Sequence, residues 1–547
     1  MPGVIIENLS GKKLSVLIAG LVVCQIACFL IGGFVAPNPS SADNILATKC
    51  LDPGNNSDAW FYVRGKGSCQ RIDNYLNEDR LDYANRVVFA FQIPLPRDNV
   101  ILDYSRWQQN LLGVLQIEVA YDSEAEMAPS TLLTIDAKIA YRNEGDPDND
   151  WKYYASSLEE RTVECSMEVK KEGDHYNCSI ISLFELGSLH HDYYLINLRL
   201  PMDHKMNMNT HLGQIEDMWL VAINQNGGFT KIWLCLKTLF FPCIIAIVVW
   251  FWKRVHQLSR IPVLLEYMLL ALGCALTFLN TPFELITLFY DFPFMVLLAD
   301  IRQGIFYAAL LSFWLVFAGE HLMIQDNEHR NQLRNYWKHL SAVFTGCLSL
   351  FIFDICERGI QLLNPFYSIW VTKIGTNVAV TFIIVAMASA GIYFVFLCYM
   401  LLQVFGNISI KRQALPSMSN VRRLHYEGII YRFKFLMLVT LFCAAMTITG
   451  FILGQASEAE GRWKWDDDLH LDYTSAFFTG VYGMWNVYIF ALMVLYAPSH
   501  KQWPSEMDIN IATTEEIEFS PLSHSNMHDG ANEISALTSF ARKAAFD

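Results

Sequence analysis

The chain has 547 residues, a mean hydropathy of +0.24 and a formal net charge of −14 at pH 7. Repeated apolar runs of membrane-spanning length exclude a soluble globular protein and indicate a polytopic membrane protein. The sequence lacks a glycine-rich phosphate loop, a paired-cysteine zinc spacing, a His-Glu-x-x-His motif and a Gly-x-Ser-x-Gly motif. It therefore predicts no enzyme, cofactor, metal site or nucleic-acid partner, although intramembrane carboxylates leave acid–base chemistry open.

The first apolar run defines the N-terminal organisation. Residues 1–13 end in two lysines, and residues 14–36 form a run too long for an ordinary cleaved signal core. We interpret this run as a retained signal anchor, with cleavage after Ala36 as the alternative. Seven further runs bring the predicted number of transmembrane helices to eight, and they begin near Ile232, Val263, Phe294, Leu340, Thr376, Phe433 and Ser475.

The distribution of lysine and arginine among the loops predicts the orientation. Alternate loops are rich in these residues and the loops between them carry few, so both termini are expected in the cytosol. Residues 37–230 then form a lumenal domain and residues 231–497 a seven-helix bundle. Residues 498–547 are polar and are expected to form a disordered cytosolic tail.

The lumenal segment has the pattern of an antiparallel β-sandwich. Residues 37–85 are loop-rich, whereas about seven short runs of β-branched and aromatic residues follow from residue 86 onward. In the run at 131–141, apolar residues alternate as a half-buried strand requires. Residues 37–229 contain 29 acidic and 16 basic residues, a balance of −13. This excess of acidic residues can attract a basic partner protein, or it can serve solubility alone.

Four of the thirteen cysteines fall in this segment, and an oxidising compartment favours their pairing as disulfides. Three pairings are possible, of which we favour the sequence-local Cys50–Cys69 and Cys165–Cys178. Glycosylation is expected at Asn55 and, less readily, at Asn177, whose sequon contains a bonded cysteine. The pair His190-His191 fits surface histidines better than metal ligands.

Two apolar spans carry ionisable side chains, which cost about 2.5–3.5 kcal/mol each on insertion scales and normally face a protein interior or a wet cavity. The fourth span contains Asp300 and Arg302, and the fifth places Asp354, Glu357 and Arg358 on one helical face. If the two helices are antiparallel, Asp300 can pair with Arg358 and Arg302 with Glu357. The cluster is then either a structural ionic clasp or the rim of a gate or ligand site.

The basic loop at 403–434 carries a candidate sorting signal. Tyr426 and Ile429 fit the Tyr-x-x-apolar pattern that clathrin adaptors bind, and the predicted topology places them in the cytosol. The alternative is that Tyr426 packs at the membrane interface. The sequence Asn-Pro-Phe-Tyr at 364–367 resembles another cytosolic signal, but the topology places it in the lumen, so we discount it.

Long blocks of the chain resemble the Wntless family of cargo receptors, and the match covers almost the whole length. The blocks are IIENLSGKKL, INQNGGFTKIW, SRIPVLLE, DIRQGIFYAALLSFW, FDICERGIQLLNPFYSIW, SNVRRLHYEGIIYRFKFLML and FFTGVYGMWNVYIFALMVLYAPSHK.

The resemblance implies an α+β membrane protein, with a GOLD-like lumenal sandwich on a receptor-like bundle of seven helices and one additional N-terminal span. It implies that the palmitoleoyl chain of a Wnt protein enters the bundle while the Wnt protein contacts the sandwich. It also implies endocytosis through a clathrin adaptor at Tyr426 and Ile429, retromer-dependent return, and cycling between Golgi, plasma membrane and endosomes. The end of the chain matches the family's endoplasmic-reticulum return signal only at Arg542, Lys543 and Ala545, so that property is not carried over.

Transfer of an acyl chain of ~14 methylenes from an apolar environment to water costs roughly 11 kcal/mol of free energy, at about 0.8 kcal/mol for each methylene. A carrier needs an apolar slot with a polar mouth, and the charged residues of the fourth and fifth spans are candidates for the mouth. The alternative role of each slot candidate is ordinary packing between helices. The alternative functions of the whole protein are a signalling receptor and a transporter. The slot candidates are Phe306, Tyr307, Leu311, Phe351 and Phe353.

Overall fold

The structure, a computed structural model, describes most of the sandwich and of the bundle. Asn55, Tyr426, Ile429, the part of the seventh predicted span after Met446 and residues 500–547 lie outside the described residues. The described residues are 4–5, 11–52, 61–63, 69–71, 85–96, 102–123, 126–167, 170–171, 173–203, 205–206, 208–210, 212, 214–257, 261–322, 336–414, 430, 434–446 and 473–499.

Within these residues the sandwich has two antiparallel sheets. One has the strand order β1-β11-β5-β9 and the other the order β3-β2-β4-β10-β6-β7-β8. The strands are β1 (Ser40–Leu46), β2 (Thr48–Leu51), β3 (Gln70–Arg71), β4 (Val87–Ile93), β5 (Leu111–Ala120), β6 (Ser130–Arg142), β7 (Lys152–Ser166), β8 (Asn177–Cys178), β9 (Ile181–Leu186), β10 (Tyr193–Arg199) and β11 (Gln214–Gln225).

The predicted alternation produces the core between the sheets. Leu133, Ile135, Ala137 and Ile139 of β6 are fully buried and join one cluster with apolar side chains from both sheets. Burying one such side chain contributes about 1.5–3 kcal/mol. The α+β fold class is thus confirmed.

The prediction that residues 37–85 are loop-rich is wrong for β1, β2 and β3. The sequence of β1, SSADNIL, has little strand propensity, yet the strand pairs with β11 from Ser40 opposite Gln225 to Leu46 opposite Trp219. A pairing partner about 180 residues away supplies the hydrogen bonds that the local sequence does not predict.

The remaining described elements are helices. Seven of them are long and apolar enough to span a membrane, and a further apolar helix covers Lys434–Met446 at the predicted seventh of the eight spans. The helices are α1 (Gly11–Phe34), α2 (Gly227–His256), α3 (Leu264–Asn280), α4 (Glu284–Thr287), α5 (Met295–Leu322), α6 (Trp337–Gln361), α7 (Lys373–Ala414), α8 (Lys434–Met446) and α9 (Tyr473–Tyr496).

The N-terminal helix α1 packs along α9 through small residues. A Cβ atom added to Gly480 would lie 2.2 Å from the ring of Phe29, so the glycine allows close approach of the two helices. The side chain of Thr479 donates a hydrogen bond to the carbonyl of Cys28 (2.9 Å), and Gln25 donates to the carbonyl of Gly480 (2.8 Å). The first helix is therefore part of the bundle.

The N-terminus also contacts the end of the bundle opposite the sandwich. The amide of Ile5 donates to the carbonyl of Ala497 (2.9 Å), and the Nε of Arg254 donates to the carbonyl of Pro498 (2.7 Å). Residues just after α9 are thereby held between α2 and the N-terminal segment.

Candidate functional site

A buried ionic network, formed by Lys237 of α2, Glu284 of α4 and Arg302 of α5, lies near the sandwich end of the bundle. The Oε1 atom of Glu284 accepts hydrogen bonds from Lys237 Nζ and from Arg302 Nη2 (2.8 Å). Arg302 Nη1 donates to the carbonyl of Thr281 (2.7 Å). The three side chains are 6%, 7% and 1% exposed, so two cations and one carboxylate share a site removed from solvent.

The predicted pairing of Arg302 with Glu357 is wrong. Asp300 and Arg302 are two residues apart on a helix, where each residue advances the side chain by about 100°, so they point in nearly opposite directions. Only one of them can face α6, and it is Asp300. Arg302 faces the turn between α3 and α4, where Glu284 lies.

A polar chain extends beside this network on α3 and α9. The hydroxyl of Tyr482 donates to Asn280 Oδ1 (2.7 Å), the amide of Asn280 donates to Asn486 Oδ1, and Asn486 donates to the carbonyl of Tyr482 (2.9 Å). The sequence reasoning missed these three residues and Lys237. The available signal was a polar side chain within an apolar run or, for Asn280, at its end.

The second charge cluster lies where the sandwich meets the bundle, a boundary that we call the seam. Arg358 of α6 donates a hydrogen bond through Nη1 to Glu185 of β9, and its Nε lies 3.9 Å from Asp300 Oδ2. The expected proximity of Asp300 and Arg358 is therefore present, and the sandwich supplies a second carboxylate. Asp354 lies one turn before Arg358 on the same helix.

The fifth member, Glu357, binds the backbone of the loop that joins α6 to α7. Its Oε2 atom accepts from the amide of Ile369 (2.8 Å), and its Oε1 accepts from Gln361 (3.3 Å). The predicted cluster therefore comprises two structures: Arg302 belongs to the buried ionic network, and the other four residues belong to the seam.

The α6–α7 loop, residues 362–372, inserts into the sandwich. Phe366 is 1% exposed and belongs to the sandwich core, with its ring centroid 6.3 Å from that of Phe184. The buried Arg161 donates through Nη2 to the carbonyl of Phe366, and the amide of Glu185 donates to the carbonyl of Pro365 (2.9 Å). This packing removes the 364–367 sequence from the reach of a soluble adaptor.

The connection between α4 and α5 forms the other contact of the seam. Arg106 donates to the carbonyl of Leu288 (3.4 Å), Gln109 donates to Thr287 (3.3 Å), and His190 Nδ1 lies 3.1 Å from Asp291. The seam thus joins the sandwich to the α4–α5 connection, which precedes α5 in sequence, and to the end of α6 and the α6–α7 loop, which follow α5.

The two histidines have separate partners. His190 hydrogen-bonds to Ser188 (2.7 Å), whereas His191 hydrogen-bonds to Asn143 (2.9 Å) and stacks on Tyr141 with ring centroids 3.7 Å apart. Burial lowers the pKa of both imidazoles, against the opposing effect of the carboxylate of Asp291. Among the described residues no group of three potential metal ligands occurs.

The slot candidates lie in different environments. Phe306 is fully buried in the bundle core, 6.1 Å from Trp485 between ring centroids, and Tyr307 packs beside it. Leu311 packs against side chains of α6 and α7. Phe351 is 39% exposed, and Phe353 lies 6.3 Å from Trp370. We call α6, the α6–α7 loop and α7 together the α6–α7 hairpin. Phe351 and Phe353 belong to this hairpin and Leu311 of α5 packs against it, whereas the Phe306 side chain is packed inside the bundle core.

Two disulfides stabilise the sandwich. Cys50 is bonded to Cys69 and Cys165 to Cys178, which is the sequence-local pairing. The second bond fixes β7 to β8 and includes the middle residue of the Asn177 sequon, while Asn177 itself is exposed.

Comparisons with known proteins cover both parts of the molecule. A family model described as the Wntless GOLD domain matches residues 48–225, and one described as the Wntless-like transmembrane domain matches residues 226–500. Their boundary coincides with the end of β11. Proteins named Protein wntless from Drosophila mojavensis, Drosophila virilis and Drosophila grimshawi are each 57% identical over 568 aligned residues, with 100% of both chains covered.

Proposed function

The chain belongs to the Wntless family, and from this premise we propose that it is a non-enzymatic cargo receptor for lipidated Wnt proteins. It binds them in the secretory pathway and escorts them to the plasma membrane. The observation that supports this most directly is the seam, which fixes a large acidic domain beside α5 and α6. One ligand can therefore contact the sandwich with its protein part and the bundle with its acyl chain.

The acyl slot is proposed between α5 and the α6–α7 hairpin. In the apolar stretches of α6 and α7 only 11% and 6% of the residues are buried, compared with 50% in α5. Leu311, Phe351 and Phe353 lie on this side and can surround an alkyl chain. Asp300, Asp354, Glu357 and Arg358 form its polar mouth. Tyr307 borders the slot, and Phe306 and Arg302 support its wall from the bundle core.

The protein part of the cargo is proposed to bind the sandwich through charge. The balance of −13 over residues 37–229 complements the basic surface expected of Wnt proteins. Complementary charge raises the rate of association and selects among partners more than it increases affinity. Binding to the sandwich is therefore expected to weaken as ionic strength rises.

Recycling is proposed to depend on the cytosolic loop at 403–434. Tyr426 and Ile429 bind a clathrin adaptor, and retromer returns the protein from endosomes to the Golgi. Glycosylation of Asn55 and Asn177 would place the sandwich in the lumen, with both termini in the cytosol.

The test is co-purification of the full chain with a palmitoleoylated Wnt protein, beside a Wnt variant that lacks the acylated serine. Capture that requires the lipid supports both the carrier function and the slot. Equal capture of the two forms places the binding site on the sandwich and contradicts the slot. Capture of neither contradicts the carrier function and favours a signalling receptor or a transporter.

A further inference from the structure

The α6–α7 loop is attached to the sandwich through the buried Arg161 and the partly buried Glu159. Arg161 donates through Nε to the carbonyl of Ser182 (3.1 Å), through Nη1 to Glu159 (3.0 Å) and through Nη2 to the carbonyl of Phe366. The amide of Asn364 donates to the same Glu159 (3.2 Å). Loss of the Arg161 guanidinium would remove the hydrogen bond to the buried carbonyl of Phe366, at a cost of about 1–3 kcal/mol.

The same loop is fixed to α6 itself. Glu357 accepts a hydrogen bond from the amide of Ile369 (2.8 Å), and Gln361 donates to the carbonyl of Tyr367 (3.2 Å). Because these bonds connect Tyr367 and Ile369, in the middle of the loop, to the end of the helix, the loop cannot hinge freely against α6. A displacement of the sandwich is therefore transmitted to α6.

The ionic connection from α6 to α5 is weaker by comparison. Arg358 donates a hydrogen bond to Glu185 of the sandwich, whereas Asp300 of α5 lies 3.9 Å from Arg358 Nε, beyond hydrogen-bond length. Both carboxylates compete for one guanidinium group. The sandwich end of the hairpin is thus attached more firmly to the sandwich than to α5.

We propose that Arg161 and Arg358 are positioning residues that make the α6–α7 hairpin follow the sandwich. Contact of cargo protein with the sandwich then sets the separation of α5 and α6, and with it the entry of the acyl chain. The energetic coupling of the two contacts rests on the proposed carrier function. The mechanical coupling of hairpin and sandwich does not, and it can be measured without cargo.

The mechanical part is tested on the full chain in lipid nanodiscs by the distance between spin labels at Ile305 and Leu350. Both side chains are about half exposed, and each lies roughly 15 Å from the sandwich end of its helix. Nine cysteines lie outside the two disulfides, so the spin labels are attached to non-natural amino acids. We expect a narrow distance distribution in the wild type and a broader one in Arg358→Gln and Glu185→Gln. Unchanged distributions in both variants would overturn the proposal.

The energetic part is tested by binding of acylated and non-acylated Wnt protein to the same samples. We expect Glu185→Gln to weaken binding of the acylated form about tenfold, within the usual range of coupling energies, and to leave binding of the non-acylated form unchanged. Glu126→Gln, which removes an exposed ion pair with Lys170 on the same domain, is the matched control.

The outcomes separate the two hypotheses. A wild type that does not distinguish the acylated from the non-acylated form contradicts the proposed function, while the spin-label distances still decide the mechanical coupling. A wild type that distinguishes them, with variants that do so equally well, overturns the role of Arg358. Arg161→Lys retains the charge but loses hydrogen bonds to the loop, and it should reproduce the broadened distance distribution.

Discussion

Replacement of Glu284 by glutamine should be one of the most destabilising single substitutions in the bundle. The carboxylate neutralises Lys237 and Arg302 at once, and all three side chains are 7% exposed or less. The amide would leave two buried cations without a counter-charge. Removal of one partner from a buried ion pair costs about 3–5 kcal/mol. At about 2 °C per kcal/mol, Tm should fall by roughly 6–10 °C.

Lys237→Met provides the decisive comparison. This substitution removes the second cation and leaves Arg302 and Glu284 as a pair without net charge, so the stability should change little or increase. Thermal unfolding of both variants in nanodiscs, followed by intrinsic tryptophan fluorescence, measures the difference. If Lys237→Met lowers Tm as much as Glu284→Gln, the reasoning from excess charge is wrong and the network acts through packing.

Three further predictions concern other parts of the molecule. Gly480→Leu should separate α1 from α9, because its Cβ would lie 2.2 Å from the Phe29 ring. A cross-link between the two helices should therefore be lost in this variant. The control Gly20→Leu should retain the cross-link, because a Cβ at Gly20 meets nothing within 4 Å. Phe366→Ala should cost about 3–5 kcal/mol and increase hydrogen exchange in the α6–α7 loop, and unchanged exchange would contradict its role as an anchor. Burial holds the pKa of His191 below its ordinary value of 6.5, so its stabilising contribution is complete above that pH and is lost as the pH falls through the folded-state value. The decrease in Tm between about pH 7.5 and about pH 5.5 should therefore be smaller for His191→Phe, which retains the stacking on Tyr141, than for the wild type.

The sequence was sufficient for the features that depend on local periodicity. Apolar runs of spanning length identify the helices, and the alternation at 131–141 identifies β6 and the side chains it buries. The sequence-local disulfides also follow from short separations of 19 and 13 residues, since short loops bring their ends together readily. Strand β1 could not be found in this way, because its partner is the distant β11.

The pairing of the ionisable residues in the spans could be predicted only in part. The apolar context marked Asp300, Arg302 and Arg358 as residues that need partners, and the antiparallel arrangement brought Asp300 to Arg358. It did not identify Glu284 as the partner of Arg302 or Glu185 as the second partner of Arg358. The angle between positions i and i+2 already forbids that Asp300 and Arg302 both face α6. That constraint alone would have directed Arg302 to another helix, where Glu284 and Lys237 were the ionisable candidates near the same membrane level.

Helix geometry could not predict that the sandwich supplies a partner for Arg358 at the seam. Glu185 belongs to β9, and its position beside Arg358 depends on how the sandwich sits on the bundle. Insertion of Phe366 into the sandwich core sets that position, because a buried aromatic side chain on a short loop leaves little freedom of docking. Packing of Phe366 thus brings Glu185 to α6, and the contact of Glu185 with Arg358 then restrains the end of the helix. Phe366→Ala should therefore weaken the Glu185–Arg358 contact, whereas Glu185→Gln should release the end of α6 and leave Phe366 buried.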